Sequence, residues 1–80
     1  GILHAQNYLM LDYNVSRDRL EQASEITPGL SGPTVSPLAR EDMVAVRALV
    51  PIKQANSVMD QLSQLGAQAI LASELRIVRL

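Results

Sequence analysis

Hydroxyl and amide side chains are the groups of this sequence best suited to binding chemistry, and they gather around one loop. The stretch from Thr27 to Leu38 holds three of the four prolines and two of the four glycines, so it cannot form a helix. A rigid loop that leads into a sheet can bind a small polar ligand, because its backbone N–H groups are not all used in a strand ladder. The alternative is an ordinary helix-to-strand connection, which uses the same residue types for turns and caps. The residues concerned are Asn14, Thr27, Ser31, Thr34 and Ser36.

Motifs of catalysis are missing from the sequence. It contains no G-x-x-x-x-G-K-[ST], no G-x-G-x-x-G and no G-x-S-x-G. His4 is the single histidine and there is no cysteine, so neither a His/Cys metal site nor a convincing Ser–His pair can be built. The carboxylates are dispersed along the chain. We therefore expect these 80 residues to be non-catalytic and to hold neither a metal nor a cofactor.

Composition excludes further classes of function. The net charge is −1, the seven basic residues are scattered, and Tyr8 and Tyr13 are the only aromatic residues, which argues against nucleic-acid binding. No apolar run approaches the ~20 residues of a membrane span. The chain forms one small domain, and its 48% hydrophobic content suggests that part of its apolar surface is covered by self-association or by a larger parent. We expect a piece of a cytoplasmic protein.

Hydrophobic periodicity predicts four strands and two helices. Alternation and apolar runs indicate strands, whereas spacings of three and four indicate helices. The predicted strands are 8–14, 34–38, 43–50 and 69–80, and the predicted helices are about 17–26 and 52–65.

Several residues predict finer features of these elements. Ser16 is a candidate N-cap. Pro37 cannot donate to a ladder, so the second strand is expected to lie at an edge or to carry a bulge. Arg47 is the one charge in the central third strand, and we expect it to face solvent or to pair with a carboxylate. Gly66 is expected to end the second helix in a Schellman motif. An interruption at 73–74 suggests a bulge or a bend in the last strand.

The order of these elements predicts an α+β fold, a ferredoxin-like βαββαβ sandwich. Its four-stranded antiparallel sheet is covered by two helices on one face. Residues 8–80 make up this domain, and residues 1–7 are a linker or the end of a preceding helix. The other sheet face has no cover within the chain, so a second copy or another domain is expected to pack there.

A set of short segments, in order, resembles the C-terminal regulatory domain of the long-form ATP phosphoribosyltransferase family. The resemblance runs from Tyr8 to Leu80. Its segments are Tyr8-Leu-Met-Leu-Asp-Tyr-Asn14, Ile26-Thr-Pro-Gly-Leu30, Pro33-Thr34, Ser36-Pro-Leu38, Val44-Ala-Val-Arg47, Val50-Pro51, Val58-Met-Asp60, Leu65-Gly-Ala67 and Ala69-Ile-Leu71.

The resemblance implies a ferredoxin-like regulatory module of the first enzyme of histidine biosynthesis, a glycosyltransferase. Such a domain binds L-histidine, the pathway product, and inhibits catalysis by two preceding domains. Those domains would use ATP and phosphoribosyl pyrophosphate with Mg²⁺. The resemblance further implies a homo-oligomer, a hexamer in the inhibited parent, with histidine bound between neighbouring regulatory domains.

The same resemblance implies a set of ligand-binding residues. Thr34 and Asn14 would contact the imidazole, and backbone groups around Leu30, Leu49 and Ala69 would hold the amino-acid end. Some family members carry Asp at the position of Asn14, and an asparagine there would lose the charge-assisted bond that Asp can form. Other members carry a side-chain hydroxyl or acid near 31–32. The carried-over pocket comprises Asn14, Leu30, Gly32, Thr34, Ala48, Leu49 and Ala69.

Two other functions compete with histidine binding. A purely structural oligomerisation domain would also explain the uncovered apolar face. An RNA-binding ferredoxin-like module is disfavoured by the scattered basic residues and the scarcity of aromatic side chains.

Overall fold

The computed structural model describes residues 7–76 and forms one four-stranded antiparallel sheet, in the order β2-β3-β1-β4. Both α-helices contribute side chains to the core on one face of this sheet. The ferredoxin-like prediction is therefore confirmed. The elements are β1 (Tyr8–Ser16), a 3₁₀ turn (Arg17–Arg19), α1 (Leu20–Ile26), β2 (Thr34–Pro37), β3 (Met43–Pro51), α2 (Ile52–Leu65) and β4 (Gln68–Glu74).

Strand alternation decides which side of the sheet is buried. Leu11, Tyr13 and Val15 on β1 are at most 1% exposed, so they face the helices. The intervening β1 residues lie on the opposite face, which we call the open face. The helices contribute small and branched residues to the core, which suits close helix-to-sheet packing. The main core residues are Leu11, Tyr13, Val15, Ala23, Val44, Val46, Val50, Ala55, Val58 and Leu62.

Both edge strands are solvent-exposed. β2 pairs only with β3, so the edge position that Pro37 predicted is confirmed, and the strand ends at Pro37, one residue earlier than expected. β4 pairs with β1 and is exposed at six of its seven residues. Leu71 on β4 is 63% exposed, an unusual position for a large apolar side chain. These two edges are the exposed borders of the described sheet.

The second helix follows its local sequence signals closely. Pro51 is its N-cap residue, and Gly66 adopts a left-handed conformation at its C-terminal end. The Gly66 N–H donates to Ser63 O at 3.0 Å and the Ala67 N–H donates to Leu62 O at 2.9 Å. These two bonds form the predicted Schellman motif.

Four local predictions need correction. Ser16 occupies the predicted N-cap position, at the start of the 3₁₀ turn, but its side chain makes no capping hydrogen bond. The first helical segment begins as a 3₁₀ turn before α1. The register of β4 against β1 shifts between the Asp12–Leu71 pair and the Asn14–Gln68 pair, so the bulge lies near 69–70 rather than at 73–74. The strand predicted to reach residue 80 ends at Glu74, and residues 1–6 and 77–80 lie outside the described residues.

A buried polar cluster fixes the start of the loop that follows α1. Thr27 is 1% exposed, and its hydroxyl donates to Ala23 O at 3.1 Å. The Tyr13 hydroxyl lies 2.7 Å from Thr27 Oγ1 and 3.4 Å from Ala23 O. Because burying unsatisfied hydroxyls is costly, these bonds hold the loop origin against β1.

Neither helix in residues 7–76 has the length and apolar character that crossing a membrane requires.

Candidate functional site

The loop after α1 covers one end of the open face and forms a groove of about 250 Å³. Leu30 is 49% exposed at its rim. We call this cavity the loop groove, and its lining residues are Met10, Gly29, Leu30, Ser31, Gly32, Thr34, Arg47, Ala48 and Leu49. Five of the seven residues predicted for ligand binding therefore line one cavity: Leu30, Gly32, Thr34, Ala48 and Leu49.

The covering loop depends on two glycines with left-handed backbones. Gly29 has φ +65° and Gly32 has φ +104°. A Cβ atom on Gly29 would lie 3.1 Å from Gly32 O, so the loop is closed tightly on itself. Within the described loops, residues 29–32 donate no backbone hydrogen bond of good geometry. Their N–H groups are therefore available to solvent or to a ligand.

A row of four side chains crosses the open face beside this groove. Thr34 on β2 is in register with Arg47 on β3, and Arg47 is in register with Asp12 on β1. Asp12 is in turn opposite Leu71 on β4. Arg47 Nε donates to Asp12 Oδ1 at 2.8 Å, which confirms the predicted pairing with a carboxylate. The row places a hydroxyl, a cation and an anion side by side.

A second groove of about 280 Å³ adjoins the first along this row. We call it the strand groove, and its lining residues are Asp12, Thr34, Ser36, Ala45, Val46 and Arg47. Thr34 and Arg47 line both grooves. The two cavities therefore meet at a hydroxyl and a guanidinium, which together favour an anionic or strongly polar group.

Asn14 and Ala69 lie apart from the loop groove. Asn14 is four residues along β1 from Met10, about 13 Å at the rise of a strand. It pairs with Gln68, the neighbour of Ala69 on β4. These two predicted residues are thus close to each other, on β1 and β4, the half of the sheet that does not contain β2.

Ala69 has an unusual backbone for a residue with a side chain. Its φ of +52° is left-handed, and it lies at the extra residue of the β4 bulge. A non-glycine residue in this region is strained by about 1–2 kcal/mol. Such strain is concentrated at binding sites, where the surrounding structure enforces it.

Sequence reasoning missed Met10 and Asp12 as neighbours of the candidate site, and it assigned no binding role to Arg47. Their proximity to Thr34 arises from strand register, which brings Arg47 onto Asp12 although the two are 35 positions apart in the chain. The signal available in the sequence was a single arginine in an otherwise apolar strand.

Among residues 7–76, no group of three His, Cys, Asp or Glu residues converges in a geometry suited to a metal.

The other ion pair of the described residues, Arg40 with Asp42 at 2.8 Å, lies in the exposed β2–β3 hairpin. It lowers the pKa of the Asp42 carboxyl, chiefly through the hydrogen bond from Arg40.

Comparison with known protein families shows to which family this domain belongs. Residues 5–77 match the family described as "HisG, C-terminal domain". The chain belongs to this family. The match covers every described strand and helix of this HisG C-terminal domain, together with both grooves.

The curated relatives are ATP phosphoribosyltransferases. The chain is 74% identical over all 80 residues to the protein of that name from Corynebacterium efficiens, and 75% identical to that from Corynebacterium diphtheriae. A Mycobacterium sp. (strain KMS) protein of the same name is 56% identical over 79 residues. In each case the aligned region is 28% of the relative's length. The chain therefore corresponds to one domain of these larger proteins.

Proposed function

We propose that this chain is the regulatory domain of a longer ATP phosphoribosyltransferase and that it binds L-histidine as a feedback inhibitor. The parent would catalyse the first step of histidine biosynthesis in the cytoplasm. Its ATP, phosphoribosyl pyrophosphate and Mg²⁺ sites would lie in the remaining part of that protein. The observation that carries the proposal is the convergence of five predicted ligand residues in the loop groove.

The chemistry of the groove suits a small zwitterion with a polar ring. Met10, Leu30 and Leu49 provide apolar walls, while Thr34 and the free N–H groups of the loop provide hydrogen bonds. Sites for small molecules commonly combine apolar walls with a few polar groups that fix the ligand's orientation. An imidazole can donate or accept at Thr34, whose hydroxyl does both.

The two parts of the predicted site require two copies of the chain. Thr34 lies on β2 and Ala69 on β4, separated by three strand spacings or about 14 Å. One amino acid cannot contact both within a single copy. If β2 of one copy adjoins β4 of the next, Thr34 meets the partner's Ala69 and the partner's Asn14. This head-to-tail contact is heterologous, so it can close into a ring, which fits a hexameric parent.

Feedback inhibition follows if the assembled arrangement binds histidine more tightly than the active one. A ligand shifts an equilibrium only through such a difference in affinity. Couplings of about 1–3 kcal/mol are typical of allosteric proteins. Histidine bound between neighbouring domains would stabilise the arrangement in which both halves of the site are present.

Calorimetric titration of L-histidine tests the proposal directly. We expect saturable binding by the assembled protein, and a loss of about 3- to 10-fold in affinity for Thr34→Val, since one hydrogen bond is removed. Ser57→Ala is the matched control, because Ser57 bonds Gln61 on the exposed side of α2. Absence of histidine binding by a folded, assembled protein that contains this chain would refute the proposal.

A structural oligomerisation domain is the second candidate, and Leu71 is the observation that favours it. Its side chain is 63% exposed on an edge strand that carries no charge from 68 to 73. Natural proteins usually protect such edges. Leu71→Lys should shift the assembly toward smaller species in sedimentation, whereas Ser57→Lys on α2 should not. Assembly that depends on Leu71 but takes place without any histidine binding would favour this second function.

A further inference from the structure

We propose that a groove at the point where the chain enters the sheet is the docking surface for the part of the parent protein that precedes this domain. We call it the corner groove. Its volume is about 490 Å³, and its lining residues are Asn7, Tyr8, Pro51, Ile52, Lys53 and Gln54. This role is separate from histidine binding and does not depend on it.

The course of the polypeptide brings the preceding part of the parent to this groove. The first two described residues, Asn7 and Tyr8, are themselves part of its lining. The matched family is described as a C-terminal domain, and the aligned region is 28% of the relative's length. The larger part of such a parent therefore precedes β1. Because each residue of chain spans at most ~3.6 Å, a folded unit joined just before Asn7 has this end of the sheet within reach.

Ile52 extends the core-facing stripe of α2 beyond the end of the core. It lies three residues before Ala55 and seven before Met59, on the same side of the helix. Ala55 is buried and Met59 packs against the core, whereas Ile52 is 42% exposed. All other exposed residues of α2 are polar. An apolar side chain on the packing side of a helix, left uncovered by residues 7–76, indicates a contact with another domain.

Tyr8 and Pro51 enlarge this apolar surface. They are opposite each other where β1 begins and β3 ends, and both are only partly buried. Pro51 directly precedes Ile52, so the three side chains lie together and share the groove with three polar residues. Such a mixture is typical of contacts between the domains of one chain, which are more polar than obligate interfaces.

The charge of the groove specifies the chemistry of its occupant. Lys53 is the only charged residue of its lining. The first turn of α2 contains no acidic residue, and its N-cap, Pro51, provides no side-chain bond to the free N–H groups. The partial positive charge of the helix start therefore adds to that of Lys53. We expect the docked surface to present an apolar side chain bordered by a carboxylate.

The corner groove also adjoins the loop that follows α1. Tyr8, Pro51 and Gln54 line a neighbouring cavity of about 190 Å³, whose walls include Gly29 and Leu30. A domain docked in the corner groove is thus one cavity away from the loop that covers the loop groove. Docking at this place would hold the rest of the parent beside the segment that histidine is proposed to contact.

Photo-crosslinking in the full-length parent protein tests the docking. p-Benzoylphenylalanine is placed at position 52, and in a control protein at position 57, because Ser57 lies on the exposed side of α2. We expect irradiation to join position 52 to a peptide of the preceding domain in the same chain, without a product of doubled mass. Position 57 should give no such product.

Substitutions in the groove give a second readout. Ile52→Glu in the full-length protein should increase the rate of proteolysis between the two domains about 10-fold, the scale of losing one buried apolar side chain, because the undocked state becomes more populated. Lys53→Glu should act in the same direction, and less so at high salt. Ser57→Glu and Arg40→Glu are the matched controls, and neither should change the rate. Thermal unfolding shows whether each variant remains folded.

The outcomes separate this inference from the proposed function. A product that joins two copies of the chain through position 52 would overturn the docking, because the groove would then be an interface between copies. Equal cross-linking from positions 52 and 57, or none from position 52, would also refute it. None of these experiments contains histidine, so their failure leaves the proposed function standing. A parent that cross-links as expected but binds no histidine would keep the docking surface and refute the proposed function.

Discussion

The hydroxyl oxygen of Tyr13 and Oγ1 of Thr27 are 2.7 Å apart in the core, and this contact joins β1 to the first residue after α1. Thr27 in turn donates to Ala23 O, so the three groups form one satisfied polar cluster beneath the loop. The Gly29–Gly32 segment begins two residues later. A contact on the helix-covered side of the sheet therefore anchors the loop that covers the groove on the open face.

Tyr13→Phe should destabilise the domain by about 1 kcal/mol, because it removes one buried hydrogen bond but leaves Thr27 bonded to Ala23. Urea unfolding followed by circular dichroism measures the change. Tyr8→Phe is the control, since the Tyr8 hydroxyl bonds no described side chain and its loss should change stability by less than about 0.5 kcal/mol. Equal effects of the two substitutions would show that the Tyr13 hydroxyl adds nothing.

Tyr13 should also make stability sensitive to alkaline pH. Burial raises the pKa of its phenol above the usual value of 10.0, and the hydrogen bond with Thr27 only partly opposes this. The folded state therefore holds the proton more tightly than the unfolded state. This contribution is complete below about pH 10 and decreases as pH rises through the folded-state pKa.

The pH dependence is measured by urea unfolding between pH 8 and pH 11 in the wild type and in Tyr13→Phe. We expect the free energy of unfolding to fall more steeply above about pH 10 in the wild type than in the variant. Parallel curves for the two proteins would contradict a raised Tyr13 pKa, because all other titrating groups are common to both.

Gly29→Ala should damage both the stability of the domain and its ligand binding. The new Cβ would lie 3.1 Å from Gly32 O on a backbone with φ +65°, so the loop must shift or stay strained at about 1–2 kcal/mol. Gly66→Ala is the matched control, with φ +100° and no atom within 4 Å of its Cβ position. We expect both variants to be less stable in urea, but only Gly29→Ala to bind L-histidine more weakly. An unchanged affinity would place the ligand away from the loop groove.

Ala69→Val should cost about 1–2 kcal/mol, because a β-branched residue tolerates the left-handed φ of +52° poorly. Ala72→Val on the same strand is the control; it lies in extended backbone opposite Leu11, where valine is favourable. Thermal unfolding of the two variants separates backbone strain from the effect of added volume. If Ala72→Val were the more damaging of the two, the bulge at Ala69 would not be rigid in solution.

Local sequence alone determined much of this domain. The glycine at 66 ends α2 in a Schellman motif because only neighbouring residues take part in that hydrogen-bond pattern. Pro37 marks an edge strand because its missing N–H is a property of the residue itself. Leu9, Leu11 and Tyr13 share one face of β1 because side-chain direction in a strand repeats every two residues, which is a local property of the sequence.

Tertiary structure decided the features that depend on strand register. The bulge lies near Ala69 because β4 carries one more residue than β1 between two paired positions, which no segment of β4 reveals by itself. Arg47 meets Asp12 and Thr34 only when three strands align, and Asn14 is separated from the loop groove by the same alignment. Register arises from packing one whole sheet face against the helices, so it is a property of the assembled sheet and not of any single segment.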